Sequence, residues 1–82
     1  AEKKYQAQIQ SLLKDIQHYS IEDDRTARII LNDVSEINYQ LANLKSRMLP
    51  TNYDSQKARD MLQLYQAKVA QLRKLKEHLE NR

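Results

Sequence analysis

The side chains able to do chemistry here are two histidines, a carboxylate cluster, scattered serines, five tyrosines and a run of cations. A zinc site needs three or four Cys, His or carboxylate ligands, and helical sites place two histidines one turn apart. His18 and His78 stand alone and there is no cysteine. Both read as solvated helix-end residues, and neither a metal nor any other cofactor is expected. Glu22, Asp23 and Asp24 cluster, but acid–base catalysis needs carboxylates converging in a pocket, and a slim helical body offers little cavity. Ser11, Ser20, Ser35, Ser46 and Ser55 carry no nucleophile-elbow motif. The absence of Gly excludes loops that cradle phosphate by close backbone approach. These residue types point to a protein that is not an enzyme.

What remains is recognition. Between Lys57 and Lys76 lie six cations (Lys57, Arg59, Lys68, Arg73, Lys74, Lys76) against one acid, Asp60. Such a run is a solvated helix face, with Arg73–Glu77 and Lys76–Glu80 pairs, or a surface for an anionic partner. Base-stacking aromatics are not interleaved with it, so nucleic acid is the weakest of the anionic partners. An acidic protein is the expected one, met by Arg59, Lys68, Arg73, Lys74 and Lys76. No small-molecule substrate is expected, and a membrane would be reached only through regions outside this chain. Tyr39 falls off the apolar positions, and tyrosine is enriched at interfaces, so Tyr39 is a further candidate contact.

These residues must be positioned by helices. Ala27, Ile30, Val34, Ile37, Leu41, Leu44 and Met48 alternate three- and four-residue steps, the pattern of a helix whose apolar seam faces partner helices. Tyr5, Ile9, Leu12, Ile16 and Tyr19 repeat it, widened by Leu13. Ala58, Leu62, Tyr65, Val69, Leu72 and Leu79 do so again, with Met61, Leu64 and Leu75 at the margin. Lys76 stands where that last seam expects an apolar residue, which predicts that the bundle loosens there. The spacing predicts helices over about 2–19, 21–48 and 53–80. Ser20 is the expected N-cap of the second, with Glu22, Asp23 and Asp24 in its first turn and an Asp24–Arg28 pair. Leu49-Pro50-Thr51-Asn52 breaks the chain again. Thr51 or Asn52 should cap the third helix, with Asp54 in its first turn and Tyr53 folding back over the end of the core.

The expected architecture is an all-α, antiparallel three-helix bundle with coiled-coil-like packing, a single domain over 1–82. Its expected core is Ile9, Leu12, Ile16, Ile30, Val34, Ile37, Leu41, Leu44, Leu62, Val69 and Leu72. Eighty-two residues without disulfides must gain stability from well-packed helices, and the abundance of Leu, Ala, Gln, Lys and Glu suits that. No apolar run approaches the roughly 20 residues that span a bilayer. The chain begins with Ala and not Met, so a fragment of a longer protein is expected. A net charge of +3 is mild.

The order of features resembles a known family. Asp24-Arg25 precedes Ile30-Leu31-Asn32-Asp33, the middle helix ends in Arg47-Met48-Leu49-Pro50, and a basic helix follows with Leu64-Tyr65-Gln66-Ala67-Lys68 and Leu72-Arg73. This is similar to the N-terminal three-helix, Habc-like domain of the Qb-type SNAREs of Golgi and endosomal membranes. The resemblance implies a regulatory module on the cytosolic face of a trafficking membrane, one that binds adaptor or tethering proteins. It also implies a SNARE segment and anchor outside this chain. Two other classes fit the same residues: a small helical assembly or secretion-chaperone subunit, and an antiparallel coiled-coil finger that binds a small GTPase or RNA.

Overall fold

The computed structural model describes residues 2–47 and 55–82. They form three helices, α1 (Glu2–Ile16), α2 (Arg25–Ser46) and α3 (Ser55–Asn81), and no strand. Tyr5 meets Tyr65 and Gln66, and Asp15 meets Lys76, so α1 runs parallel to α3. Asp24 meets His78 and Arg82 at one end while Lys45 lies over Tyr65 at the other, so α2 runs antiparallel to both. The result is an up–down–up three-helix bundle measuring 47 × 21 × 15 Å.

The first break is longer at both ends than the spacing predicts. α1 stops at Ile16 and α2 begins at Arg25, so Ser20 does not cap and the three acids precede the helix. The N-cap is Asp24, whose extended backbone (φ −103°, ψ 99°) lets its carboxylate accept the Ala27 N–H at 2.9 Å. Asp24 outcompetes Ser20 because the same carboxylate also holds two side chains of α3. No Asp24–Arg28 side-chain pair forms. It is the backbone N–H of Arg28 that donates, to the Asp24 carbonyl at 3.0 Å. Between the helices, the Tyr19 N–H donates to the Ile16 carbonyl and the Asp24 N–H to the Ile21 carbonyl, each at 3.0 Å. These tight turns lay half-buried Tyr19 and Ile21 against the core and close that end of the bundle. No described residue has a positive φ, as a chain without Gly favours.

At the other end α2 finishes at Ser46, and the Arg47 N–H bonds back to Leu44 and Lys45. The Lys57 ammonium donates to the Arg47 carbonyl at 3.2 Å, joining the start of α3 to the end of α2. Met48, the Leu49–Asn52 break, its Thr51 or Asn52 cap, Tyr53 and Asp54 lie outside the described residues.

The core differs from expectation on α3. Met61, Tyr65, Leu72, Leu75 and Leu79 are buried there with Val69, whereas Leu62 is only half-buried. The reason is that α3 packs against two helices and uses two heptad frames at once. One frame, Leu62–Tyr65–Val69–Leu72–Lys76–Leu79, faces α1. The other, Met61–Tyr65–Lys68–Leu72–Leu75–Leu79, faces α2. Leu62 lies one turn before Tyr65, which meets Tyr5, so only the first turn of α1 stands level with it. On α2, Ala27, Ile30, Val34 and Leu41 are buried, but Ile37 and Leu44 are half-buried. Among the described residues α1 and α2 both pack on α3 while no Cα of one lies within 8 Å of the other, so α2 has one close neighbour and a narrower stripe.

Two outcomes check this packing. Leu75→Ala, which empties a fully buried site, should lower unfolding free energy by about 2–4 kcal/mol, and Leu62→Ala by less than about 1 kcal/mol. Equal losses in urea denaturation would refute the two-frame assignment. Gln71 is half-buried and its Oε1 is enclosed with no donor among the described residues. Gln71→Leu should therefore raise stability by about 0.5–1 kcal/mol.

Candidate functional site

The bundle does not gather the expected contact residues on one face. At 3.6 residues per turn, Arg59 and Lys74 point to the solvent side of α3, while Arg73 lies on the α1 flank in a groove with Leu12, Asp15 and Lys76; all three are exposed. Arg59 is held by the Gln56 side-chain carbonyl at 3.1 Å. Lys76 sits on the α1 flank and pairs with Asp15 at 2.9 Å. That hydrogen bond, with the carboxylate's charge, holds the Lys76 ammonium above the usual lysine range. The helices do not loosen there, because the neighbouring Leu75 and Leu79 are buried and Asp15 satisfies the cation. Tyr39 is exposed on α2.

Lys68 is the residue that takes a seam position. It is half-buried between Tyr65 and Leu72 in the frame that faces α2, and it has no hydrogen-bond or ion-pair partner among the described residues. Burial, and then repulsion from Lys45, push its pKa below the usual lysine value. Both lysines border a slot of about 340 Å³ between α1 and α2. Tyr65 and Lys68 form its floor. Gln6, Ile9 and Gln10 stand on the α1 side, with Asn38, Leu41, Ala42 and Lys45 on the α2 side. The Lys45 ammonium lies 5.8 Å from the centre of the Tyr65 ring, and Tyr5 stacks 6.5 Å from that ring, nearly parallel to it. Leu13, 44% exposed, is one helical turn beyond Gln10 and two beyond Gln6, on the same side of α1. Among the described side chains none that lines the slot is a carboxylate.

At the opposite end a clasp forms around Asp24. The His78 Nε2–H donates to its two carboxylate oxygens at 2.9 and 2.8 Å, and Arg82 reaches one of them at 3.0 Å. The Arg82 guanidinium also lies over the Tyr19 ring at 5.9 Å. His78 is therefore not a solvated helix-end residue but a half-buried link between α3 and the cap of α2. His18 is exposed. The Ala27 N–H foremost, then His78 and Arg82, hold the Asp24 carboxyl at a pKa of about 2 against partial desolvation. Among the described residues no three His, Asp or Glu side chains gather as metal ligands would. No described helix is long and apolar enough to cross a membrane.

Sequence reasoning missed the slot and the clasp. The slot's signal was Lys68 at four-then-three spacing from Tyr65 to Leu72, hidden because a second frame also fits. The clasp left no local signal, since Asp24 and His78 are 54 positions apart. Compared with known protein families, curated proteins and solved structures, the chain matches none.

The clasp gives a pH dependence whose sign is fixed. A carboxylate with a lowered pKa stabilises the fold above its unfolded value of 3.8, and that contribution is lost as pH falls towards about 2. Thermal melts between pH 5 and 2 should therefore fall more steeply for the wild type than for Asp24→Asn. Parallel curves would show that the clasp carries no linked protonation.

Proposed function

We propose that this chain is a non-catalytic protein-interaction domain, of the regulatory kind that precedes the SNARE segment of a Golgi or endosomal trafficking protein. The observation that carries the interaction reading is the open slot. A three-helix body gains most by closing all three helix pairs, yet here α1 and α2 stand apart and leave a groove in which Ala42, Lys45 and Lys68 lie over the buried Ile9, Leu41 and Tyr65. The trafficking reading is supported by the Arg47-Met48-Leu49-Pro50 and Leu64-Tyr65-Gln66-Ala67-Lys68 strings and by the three-helix order. It would place the domain on the cytosolic side of its membrane, with adaptor or tethering proteins as partners. The coiled-coil finger reading is weakened because α1 covers much of the α2–α3 hairpin, from Tyr5 at Tyr65 to Asp15 at Lys76.

The test is immunoprecipitation of the native protein from its own cells, with the associated proteins identified by mass spectrometry. SNARE proteins together with an adaptor or tether are the expected companions, and binding should weaken as salt is raised. Arg73→Glu with Lys74→Glu should slow association several-fold without changing stability measurably. Recovery of only secretion or ribonucleoprotein components would overturn the trafficking reading.

A further inference from the structure

We propose, independently of the interaction reading above, that the outward face of α2 binds a second copy of this chain, the two α2 helices packing antiparallel across a two-fold axis. α2 spends Ala27, Ile30, Val34, Ile37, Leu41 and Leu44 on its inner side. On the opposite side a second series of three- and four-residue steps runs through Arg25, Ile29, Asn32, Glu36, Tyr39 and Asn43. All six are exposed. Ile29, 53% exposed, and Tyr39, 69% exposed, are the two most exposed large hydrophobic side chains among the described residues. A single exposed apolar residue is ordinary. Two on one heptad seam, spaced by polar positions, form the layers of a further helix contact.

The order of the stripe names the occupant, because it is complementary to itself reversed. Ile29 and Tyr39 stand equally far either side of Val34, as do Asn32 and Glu36, and Arg25 and Asn43. A two-fold axis level with Val34 therefore sets Ile29 of each copy on Tyr39 of the other, Asn32 on Glu36 and Arg25 on Asn43. Each apolar residue gains an apolar partner, each charge an amide, and no layer sets like charge on like. A parallel pair would instead oppose Glu36 to Glu36 and Arg25 to Arg25. An open groove of about 480 Å³ lies at the start of α2, lined by Glu22, Asp23, Arg25, Arg28, Ile29 and Asn32. Tyr39 of the second copy suits it, since the ring covers Ile29 while the hydroxyl stays with the polar rim. Exposed Arg47 ends α2, so antiparallel pairing also brings Glu22 and Asp23 of each copy towards Arg47 of the other. The net charge of +3 does not oppose the contact. On this side of the bundle Arg25, Arg28 and Arg47 are balanced by Glu22, Asp23, Asp33 and Glu36, all exposed. The outward cations Arg59 and Lys74 lie on α3, behind the helix that carries the face, and are screened within about 8 Å at physiological salt.

A single helix pair makes a small interface, so the expected dimer is weak and reversible, dissociating in the range of about 0.1–1 mM. Sedimentation equilibrium of the 82-residue chain from about 0.02 to about 2 mM should show the mass rising towards that of two chains. Amide shifts over the same series should centre on Ile29, Asn32, Glu36 and Tyr39. Ile29→Gln with Tyr39→Gln should weaken association at least about tenfold, while circular dichroism and the thermal melt of the dilute chain stay as in the wild type. Direction is read with a spin label on Arg25→Cys, a unique thiol because the chain has no cysteine. Mixed with unlabelled, isotope-enriched chain, the label should broaden the amides around Asn43 of the other copy. A chain that stays monomeric at about 2 mM would overturn the proposal. So would a dimer that the double variant leaves intact, shifts centred on α1 or α3, or broadening around Arg25 in place of Asn43.

Discussion

One helix has to serve two neighbours that do not approach each other, and the rest of the structure follows from that constraint. α3 does so by carrying two heptad frames that share Tyr65, Leu72 and Leu79. The shared residues are buried because both neighbours cover them. Residues belonging to one frame alone depend on what the one helix they face sets level with them. Thus Leu75 is fully enclosed while Leu62, one turn before Tyr65 and near the start of α1, is only half-buried. Burial on this helix therefore reflects register and position along the neighbour together, not hydrophobicity alone.

The same constraint explains the unequal fates of two lysines. Each occupies a place where its frame asks for an apolar side chain. Lys76 belongs to the frame that faces α1 and meets Asp15 at the edge of the interface, where water reaches both partners. Such a pair adds little to stability but fixes the level of one helix against another. Lys68 belongs to the frame that faces α2, beside a slot that water can enter. The four-carbon stem of lysine makes this tolerable, because it can lie along apolar surface while the ammonium stays near solvent.

Much of the fold was legible in the residues. Three helices, their order and most of the core on α1 and α2 follow from the spacing of Ile9, Leu12, Ile16, Ile30, Val34 and Leu41, since an apolar stripe needs only local periodicity to be seen. The frame on α3 was less legible, because Ala58–Leu62–Tyr65 and Met61–Tyr65–Lys68 are both valid heptads and only the neighbours choose between them. The α2 boundary was misread for a related reason. Ser20 and Asp24 are both good caps locally, and the choice falls to His78 and Arg82, which no local window contains. The candidate surface suffered most. Counting cations from Lys57 to Lys76 registers their number but not their direction, and helical rotation sends Arg59 and Lys74 outward, Lys76 towards α1 and Lys68 inward.

The contacts that hold α1 in place join residues 61 positions apart, Tyr5 to Gln66 and Asp15 to Lys76. By sequence separation these are among the longest closures the chain makes. Once α2 lies against α3, however, Asp24 is already anchored to His78 and Arg82, and the only chain left to order is the connection 17–24. Closure entropy depends on the length of free chain and not on residue numbering, so α1 docks at the entropic cost of a short loop. Topologically distant by number, α1 is tethered as closely as the second arm of a hairpin.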